Sequence, residues 1–280
     1  MRVVRTVSEI RTLRRAARRA EDSVGFVATM GALHAGHLSL VRAARAVDDE
    51  VIVSIFVNPL QFGPQEDYTA YPRDEASDVA ALAGAGGDVV FIPEVGEMYP
   101  AENTTTIDVG GIGRVFEGES RPGHFTGVCT VVAKLFNIIE PDRALFGQKD
   151  AQQVAVVKRM VRDLNFGVEI VVCPTVREPD GLAMSSRNAY LSPTERRQAS
   201  ALSRALAAGM EALHSSGGPA AAEREMRSVL EEASGVEPDY AAARDPDTFD
   251  PPRTGGPVLL VVAARVGRAR LIDNMLFEPG

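Results

Sequence analysis

Two of the four histidines in this chain stand three residues apart in a glycine-containing segment, Thr29-Met-Gly-Ala-Leu-His-Ala-Gly-His37. Gly31 and Gly36 let the backbone approach a ligand closely, and a helix that begins after Gly36 offers N–H groups and a positive dipole end to an anion. The imidazoles of His34 and His37 can each donate a hydrogen bond to a phosphoryl oxygen. The segment therefore predicts a phosphate-binding turn, which we favour over two histidines of purely structural role.

A second candidate for phosphate binding is Met184-Ser-Ser-Arg187, in which two hydroxyls precede a guanidinium that can grip oxyanions in bidentate fashion. Alone, this tetrapeptide is more typical of a turn or a helix cap. Together with HxGH it is similar to the paired HIGH and KMSKS signatures of class I aminoacyl-tRNA synthetases and their nucleotidyltransferase relatives, which transfer AMP from ATP. The chain contains neither GxxxxGK[ST] nor GxGxxG, so neither a Walker-type nor a dinucleotide site is predicted.

A third candidate is Phe146-Gly-Gln-Lys-Asp-Ala-Gln-Gln153, which contains one of only three lysines in the chain. Lys149 can neutralise a phosphate, Asp150 can accept from a ribose hydroxyl, and Gln153 lies one helical turn further on. These residue types predict a contact with the sugar and phosphates of a nucleotide.

Uncharged amides mark a fourth segment, Phe56-Val-Asn-Pro-Leu-Gln-Phe62. Asn58 and Gln61 are suited to holding hydroxyls and a carboxylate through hydrogen bonds. A fifth segment, Arg121-Pro-Gly-His-Phe-Thr-Gly-Val128, either serves the site or merely shapes a turn, and the sequence leaves both interpretations open.

Alternating strand and helix patterns predict the elements that position these segments. Strands separated by helices of 10–15 residues predict an α/β fold with a parallel, doubly wound sheet and right-handed crossovers. The predicted strands are 24–29, 50–59, 88–93, 143–147 and 168–174, with helices at 38–45, 74–86, 125–140 and 150–164 and a short strand and amphipathic helix before them.

The pattern changes after about residue 176, where we place the boundary between domains 1–176 and 177–280 with a hinge near 176–190. Ser192-Pro-Thr-Glu195 has the form of a capping box and predicts one long helix that ends near Gly217. A second helix and three strands complete a small α+β domain, with predicted bounds of 220–233, 239–245, 258–266 and 268–278.

Composition narrows the possible classes of protein. The 280 residues carry 30 Lys plus Arg against 38 Asp plus Glu, a net charge of −8 without a basic run, which argues against nucleic acid as a partner. No segment approaches the ~20 apolar residues that span a bilayer, and the N-terminus lacks the apolar stretch of a signal peptide. Cys129 and Cys173 stand in apolar runs and are interpreted as buried free thiols. We expect a cytoplasmic protein without a membrane partner.

The ordered motifs resemble one family closely. TMGALHxGH, IFVNPxQF, YPRD, RPGHFxGV, FGxKDxQQ and GLAMSSRNxYL occur in this order between residues 29 and 191, and LLVVAARVGxxRLIDN follows near the C-terminus. The chain resembles the pantothenate synthetase (pantoate–β-alanine ligase) family throughout. The resemblance implies a Rossmann-like N-terminal domain, a C-terminal lid domain and a homodimer. It also implies pantothenate synthesis from pantoate, β-alanine and ATP through a pantoyl adenylate, with Mg²⁺.

The resemblance also implies roles for individual residues. His37 matches the general acid position, and His34, Lys149, Ser185, Ser186 and Arg187 match its other catalytic positions. Gln61, Gln153 and Asn58 match contacts of pantoate and β-alanine, and Asp78 is a candidate contact of Mg²⁺. The ATP positions are Met30, Gly31, Ala32, Leu33, His34, Ala35, Gly36, His37, Gly147, Gln148, Lys149, Asp150, Val176, Met184, Ser185, Ser186 and Arg187.

Four positions depart from the family pattern, namely Ala28, Ala35, Gln148 and Ala151, of which the last two could loosen the packing behind Lys149. Two other functions stay open at this point. One is another HIGH-type adenylyltransferase with a phosphorylated acceptor, for which Arg or Lys would be expected in place of Asn58 and Gln61. The other is a nucleotide-binding or scaffold protein that has lost catalysis.

Overall fold

The computed structural model describes residues 1–63, 68–101, 103–215 and 217–279. They form two compact units, one of Met1–Gly147 with Val156–Cys173 and the other of Gln148–Ala155 with Pro174–Gly280. The second unit thus includes the short segment 148–155, which the sequence grouped with the N-terminal domain.

A six-stranded parallel sheet forms the centre of the first unit, in the order β1-β4-β3-β2-β5-β6. The predicted doubly wound sheet is confirmed. Its strands are β1 (Arg2–Val4), β2 (Val24–Thr29), β3 (Glu50–Ile55), β4 (Val89–Phe91), β5 (Arg143–Gly147) and β6 (Glu169–Cys173). The strand order reverses between β2 and β5, which are neighbours, so their carboxyl ends flank the switch point where ligands bind in such sheets.

Helices cover both faces of this sheet. They are α1 (Val7–Ala20), α2 (Ala35–Arg45), α3 (Glu75–Ala85), α4 (Val95–Met98), α5 (Glu117–Ser120), α6 (His124–Ile139) and α7 (Ala151–Asp163), of which the residues up to Ala155 belong to the second unit. On one face, Val41 of α2 and Leu82 of α3 pack with Val27 and Val53 of the sheet. On the other, Phe26 of β2 meets Phe136 of α6 edge to face, with 6.3 Å between ring centroids.

The second unit contains an antiparallel sheet in the order β7-β8-β9, which agrees with the α+β domain predicted from the sequence. Its elements are α8 (Pro193–Ala199), α9 (Ala201–His214), α10 (Gly218–Glu232), β7 (Val236–Arg244), β8 (Val258–Val266) and β9 (Ala269–Phe277). Leu202 and Leu206 of α9 and Met226 of α10 share a core with Leu260 and Val262 of β8.

One helix prediction in this unit is wrong. The capping box at Ser192 and Glu195 is confirmed, but the helix that it opens ends at Ala199, and a separate helix begins at Ala201. Ser200 lies at the break, and its hydroxyl donates to the carbonyl of Arg197 at 2.7 Å. Serine competes for backbone partners in this way, which explains why a continuous apolar pattern does not give one continuous helix here.

Candidate active site

The histidine turn follows β2 and forms the first turn of α2 in the first unit. His34 is the N-cap residue of this helix, and its Nδ1 accepts the N–H of Gly36 at 3.1 Å. The Nδ1 of His37 accepts the N–H of His34 at 3.4 Å, and the ring centroids lie 4.1 Å apart. Because a backbone N–H can only donate, both Nδ1 atoms are acceptors, and each neutral ring carries its proton on Nε2. Both imidazoles are therefore N–H donors through Nε2.

Asp78 of α3 holds the backbone of this turn. It is 5% exposed, and its two carboxylate oxygens accept the N–H groups of Ala32 at 3.0 Å and Leu33 at 2.9 Å. Gly31 has φ +82°, and a Cβ there would lie 2.8 Å from Asp78 Oδ2. Ala32 also lies in the left-handed region, with φ 50°, a conformation that costs free energy for alanine. The Asp78 carboxylate offsets this cost by binding both N–H groups.

Gln61 ends a 3₁₀ turn, Pro59–Gln61, that follows β3. Its carbonyl lies 2.9 Å from Nδ1 of His124 and accepts from Nη2 of Arg121 at 3.3 Å. A Cβ on Gly127 would lie 2.2 Å from the carbonyl oxygen of Leu60, so glycine is needed for α6 to approach this turn. The segment 121–128, whose role the sequence left open, therefore fixes the backbone of Gln61.

Asn58 caps the same turn from a buried position and is 1% exposed. Its Oδ1 accepts from the hydroxyl of Tyr99 at 2.8 Å and from the N–H of Leu60 at 3.3 Å. Its Nδ2 donates to Oε1 of Gln61 at 3.2 Å and to the carbonyl of Gly127 at 3.1 Å. These four bonds use both donors and both lone pairs of the amide, so Asn58 supports Gln61. The predicted contact of Asn58 with a substrate stays a prediction.

Lys149 belongs to the second unit, in a 3₁₀ turn formed by Gln148–Asp150. Asn274 of β9 binds this turn through Nδ2, which donates to the carbonyls of Gln148 and Lys149, both at 2.9 Å. The Oδ1 of Asn274 accepts from Nε2 of Gln148 at 3.0 Å. Gln148, one of the departures from the family pattern, is thus an amide donor matched to Asn274.

A narrow cleft of about 10 Å³ in the second unit brings three of the predicted residues together. Lys149, Ser185 and Arg187 line it, and Arg270, which sequence reasoning missed, lines it as well. Ser185 caps the 3₁₀ turn Ser186–Tyr190, in which Ser186 is the first residue. Asp273 lines the cleft too and pairs with Arg177, and Arg270 pairs with Asp239 at 2.6 Å. Lys149 and Arg187 therefore supply the positive charge that suits an anionic group of a ligand.

Hydrogen bonds and ion pairs brace the segment before this cleft. The N–H of Met184 donates to the carbonyl of Val176 at 2.9 Å, so these two predicted ATP positions are neighbours. Arg196 pairs with Glu178, whose other oxygen accepts from Asn188 at 2.7 Å, and the Arg196 guanidinium lowers the pKa of the Glu178 carboxyl. The Ser185–Arg187 segment therefore follows a fixed hydrogen-bonded turn.

The structure divides the predicted site residues between the two units. Met30 to His37, Asn58, Gln61, Asp78 and Gly147 lie in the first unit, whereas Gln148, Lys149, Asp150, Gln153, Val176 and Met184 to Arg187 lie in the second. In the first unit Asp78 binds the histidine turn, and in the second Lys149, Ser185 and Arg187 line one cleft. The roles of the predicted residues, including Gln153 on α7, stay predictions. Asn274 and Arg270 stand in the C-terminal motif RLIDN, but nothing in their spacing marked them as neighbours of Lys149.

Two further properties of the molecule concern metal ions and membranes. Among the residues that the structure describes, no group of three or more His, Cys, Asp or Glu side chains could hold a metal ion. The predicted magnesium contact at Asp78 stays a prediction. Within the same described ranges, no helix is both long and apolar enough to cross a membrane.

A doubly wound sheet with two imidazole donors after a strand at its switch point defines the chain as an α/β protein with a turn suited to an anionic ligand. Comparison with known proteins makes this specific. The family profile described as Pantoate-beta-alanine ligase matches residues 2–276. The chain belongs to the pantoate–β-alanine ligase family. It is a ligase, and its reaction is the ATP-dependent joining of pantoate to β-alanine.

Relatives and solved structures agree with this membership. The chain is 55% identical to the pantothenate synthetase of Acidobacterium capsulatum, over 99% of this chain and 97% of that one. The crystal structure of pantothenate synthetase from Thermus thermophilus has a TM-score of 0.92 at 50% identity, covering 98% of this chain and 99% of that one. The pantoate-beta-alanine ligase of Francisella tularensis, solved with beta-gamma ATP and beta-alanine, has a TM-score of 0.79 at 35% identity and covers 100% of both chains.

Proposed function

We propose that the ligation proceeds in two half-reactions at the residues described above. In the first, the carboxylate of pantoate attacks the α-phosphorus of ATP, which forms pantoyl adenylate and releases pyrophosphate. In the second, the amine of β-alanine attacks the acyl carbon, the bond to AMP breaks, and the amine loses a proton. The acyl adenylate carries the energy of ATP to the amide bond, so no covalent bond to the protein is needed.

The observation that carries this proposal is the proton placement in the histidine turn. Both backbone N–H bonds to Nδ1 leave the protons of His34 and His37 on Nε2. Both neutral rings donate from Nε2 to the phosphoryl oxygens and stabilise the negative charge that develops there. The general-acid role that the resemblance implies for His37 needs the imidazolium form, because a neutral ring that gave up its Nε2 proton would become an imidazolate. Because the donors are fixed before the reaction, they need little reorganisation in the transition state.

The phosphates and the nucleoside of ATP are assigned to the predicted ATP positions. Lys149, Ser185, Ser186 and Arg187 bind phosphate oxygens, which is consistent with three of them lining one cleft. The remaining assigned contacts are Met30 to Leu33, Ala35, Gly36, Gly147, Gln148, Asp150, Val176 and Met184.

Mg²⁺ is proposed to enter with ATP and, when bound, to neutralise charge on the phosphates. The residues present fit this role, because Mg²⁺ is commonly held by one or two carboxylates together with phosphate oxygens. Asp78 is the proposed protein contact. Each of its two carboxylate oxygens accepts one backbone N–H group and so keeps a second lone pair.

Pantoate is proposed to bind Gln61 and Gln153, with β-alanine also at Gln61. We assign Asn58 a role through Gln61. In the second domain, residues 177–280 act as a lid that excludes water from the hydrolysable adenylate. The homodimer implied by the resemblance and the cytoplasmic location expected from the composition belong to the same proposal, and sedimentation of the purified chain tests the dimer.

The test is pantoate-dependent exchange of labelled pyrophosphate into ATP in the absence of β-alanine. We expect exchange with D-pantoate, none without it, and AMP release only after β-alanine is added. AMP formation that strictly requires β-alanine, with no exchange before it, would contradict the adenylate. Calorimetric binding of ATP with no turnover would favour a protein that has lost catalysis, and a phosphorylated acceptor that outcompetes pantoate would favour another adenylyltransferase.

A further inference from the structure

Gln61 lies at the end of a chain of three hydrogen-bonded side chains in the first unit. The Tyr99 hydroxyl donates to Oδ1 of Asn58 at 2.8 Å, and Nδ2 of Asn58 donates to Oε1 of Gln61 at 3.2 Å. Tyr99 comes directly after α4 and stands 41 positions from Asn58 in the sequence. This series of hydrogen bonds determines which end of the Gln61 amide faces Asn58 and which end faces Met30.

The orientation of the Asn58 amide is fixed by two backbone groups of opposite kind. The N–H of Leu60, which can only donate, faces Oδ1, and the carbonyl of Gly127, which can only accept, faces Nδ2. Rotation of the amide by half a turn would place donor against donor and acceptor against acceptor at both positions. Asn58 therefore has one stable orientation, with Nδ2 toward Gln61.

The same reasoning extends to Gln61. Because a donor of Asn58 faces it, the group that Gln61 turns toward Asn58 must be the oxygen Oε1. Its Nε2 then lies on the other side, where it contacts the sulfur of Met30 at 2.8 Å. A thioether is a weak acceptor, so the N–H groups of Gln61 can bind an oxygen of a ligand in its place.

The Tyr99 hydroxyl supplies the remaining partner of Asn58. It stays protonated, since burial raises the pKa of Tyr99 well above its usual value. Asn58 itself is 1% exposed, so loss of this hydroxyl leaves its Oδ1 with the N–H of Leu60 as its protein partner.

We propose that Tyr99 is a positioning residue that acts through Asn58 to hold Gln61 as a hydrogen-bond donor, so that the site selects a carboxylate or hydroxyl oxygen of the acid substrate. The inference rests on the proposed binding of pantoate at Gln61. A substrate analogue with an ammonium or amide N–H in place of the oxygen that binds Gln61 would set donor against donor and be rejected.

The test uses pyrophosphate exchange to measure KM for pantoate and for ATP separately. Tyr99→Phe removes one buried neutral hydrogen bond and should raise KM for pantoate about five-fold, with KM for ATP unchanged. Asn58→Asp keeps both acceptors but loses both donors, and should raise KM for pantoate by about ten-fold or more. Tyr68→Phe deletes a hydroxyl that is not part of the hydrogen-bonded series Tyr99–Asn58–Gln61. It serves as the matched control, with no change expected in KM for pantoate or for ATP.

A double-mutant cycle separates positioning from general damage. In a Gln61→Ala background, Tyr99→Phe should cause no further rise in KM for pantoate, because its effect is transmitted through Gln61. Effects that multiply in the double variant, an unchanged KM in Tyr99→Phe, or an equal rise in KM for ATP would each overturn the proposal. If the proposed function itself is wrong, the unmodified chain will show no pantoate-dependent exchange at all. This outcome differs from each of the three that would overturn only the proposal for Tyr99.

Discussion

The side-chain amide of Asn274 lies 2.9 Å from the carbonyl oxygen of Lys149 and holds the turn that carries this lysine. A second bond of the same amide reaches the carbonyl of Gln148, also at 2.9 Å. Asn274 is 4% exposed and Lys149 lines the cleft of the second unit, so a buried amide fixes the backbone of a residue whose side chain lines the cleft. The lysine is thus positioned by a residue 125 places away in the sequence.

Asn274→Asp is expected to lower kcat about 10²-fold, because the carboxylate cannot donate to either carbonyl and small displacements of a catalytic group have effects of this size. Steady-state kinetics with all three substrates measure the loss. Asn137→Asp, the same change on the exposed side of α6, should leave kcat within about two-fold of the unmodified chain. Normal turnover in Asn274→Asp would mean that the turn holds its position without this amide.

Removal of either central donor should abolish adenylation without unfolding the chain. We expect His37→Ala and Lys149→Ala each to reduce pyrophosphate exchange by about 10²–10³-fold, the loss typical for one preorganised donor. Circular dichroism should match that of the unmodified chain. His214→Ala and Lys158→Ala are the matched controls, and full exchange in either site variant would refute the role assigned to that residue.

Asp78→Asn should weaken ATP binding. One of the two positions facing Ala32 and Leu33 then holds an NH₂ group, which cannot accept a backbone N–H, so the turn opens. We expect KM for ATP to rise about ten-fold, with a smaller change for β-alanine. Asp22→Asn makes the same change at an exposed position as a control. Titration with Mg²⁺ separates the two roles, because a variant that also binds the metal less tightly needs a higher Mg²⁺ concentration for its half-maximal rate.

The buried thiol of Cys129 should make stability fall at alkaline pH. Burial raises its pKa from 9.0 to about 12, so the unfolded chain releases this proton at lower pH than the folded chain does. The stabilisation is complete below pH 9 and is lost as the pH rises from 9 toward 12, by up to about 1.4 kcal/mol per pH unit. Urea unfolding between about pH 8 and pH 10.5 measures this loss. In Cys129→Ala the free energy of unfolding should fall less steeply with pH than in the unmodified chain. Equal slopes in the two proteins would contradict the assignment of this pH dependence to Cys129.

The fold was largely predictable because its strands are apolar runs bounded by polar turns, and its motifs follow those strands. The segment after Glu50 shows this, since its apolar run predicted the central strand β3. Ser200 shows the limit, because the apolar pattern continues across a residue whose hydroxyl breaks the helix.

The supporting residues of the site could not be predicted in the same way. Hydrogen bonds join Tyr99 to Asn58 and Asn274 to Lys149 across 41 and 125 positions, and no local spacing encodes such pairs. His34 and His37 could be predicted because they stand close together in one segment. Their proton positions required the backbone geometry of the turn.

The saturated amide of Asn58 has a consequence for sequence variation. No other amino acid offers two donors and two acceptors at the same length, so every substitution breaks at least one bond to Tyr99, Leu60, Gln61 or Gly127. A codon library at this position, selected in cells whose growth depends on the pantothenate that this chain makes, should return asparagine almost alone.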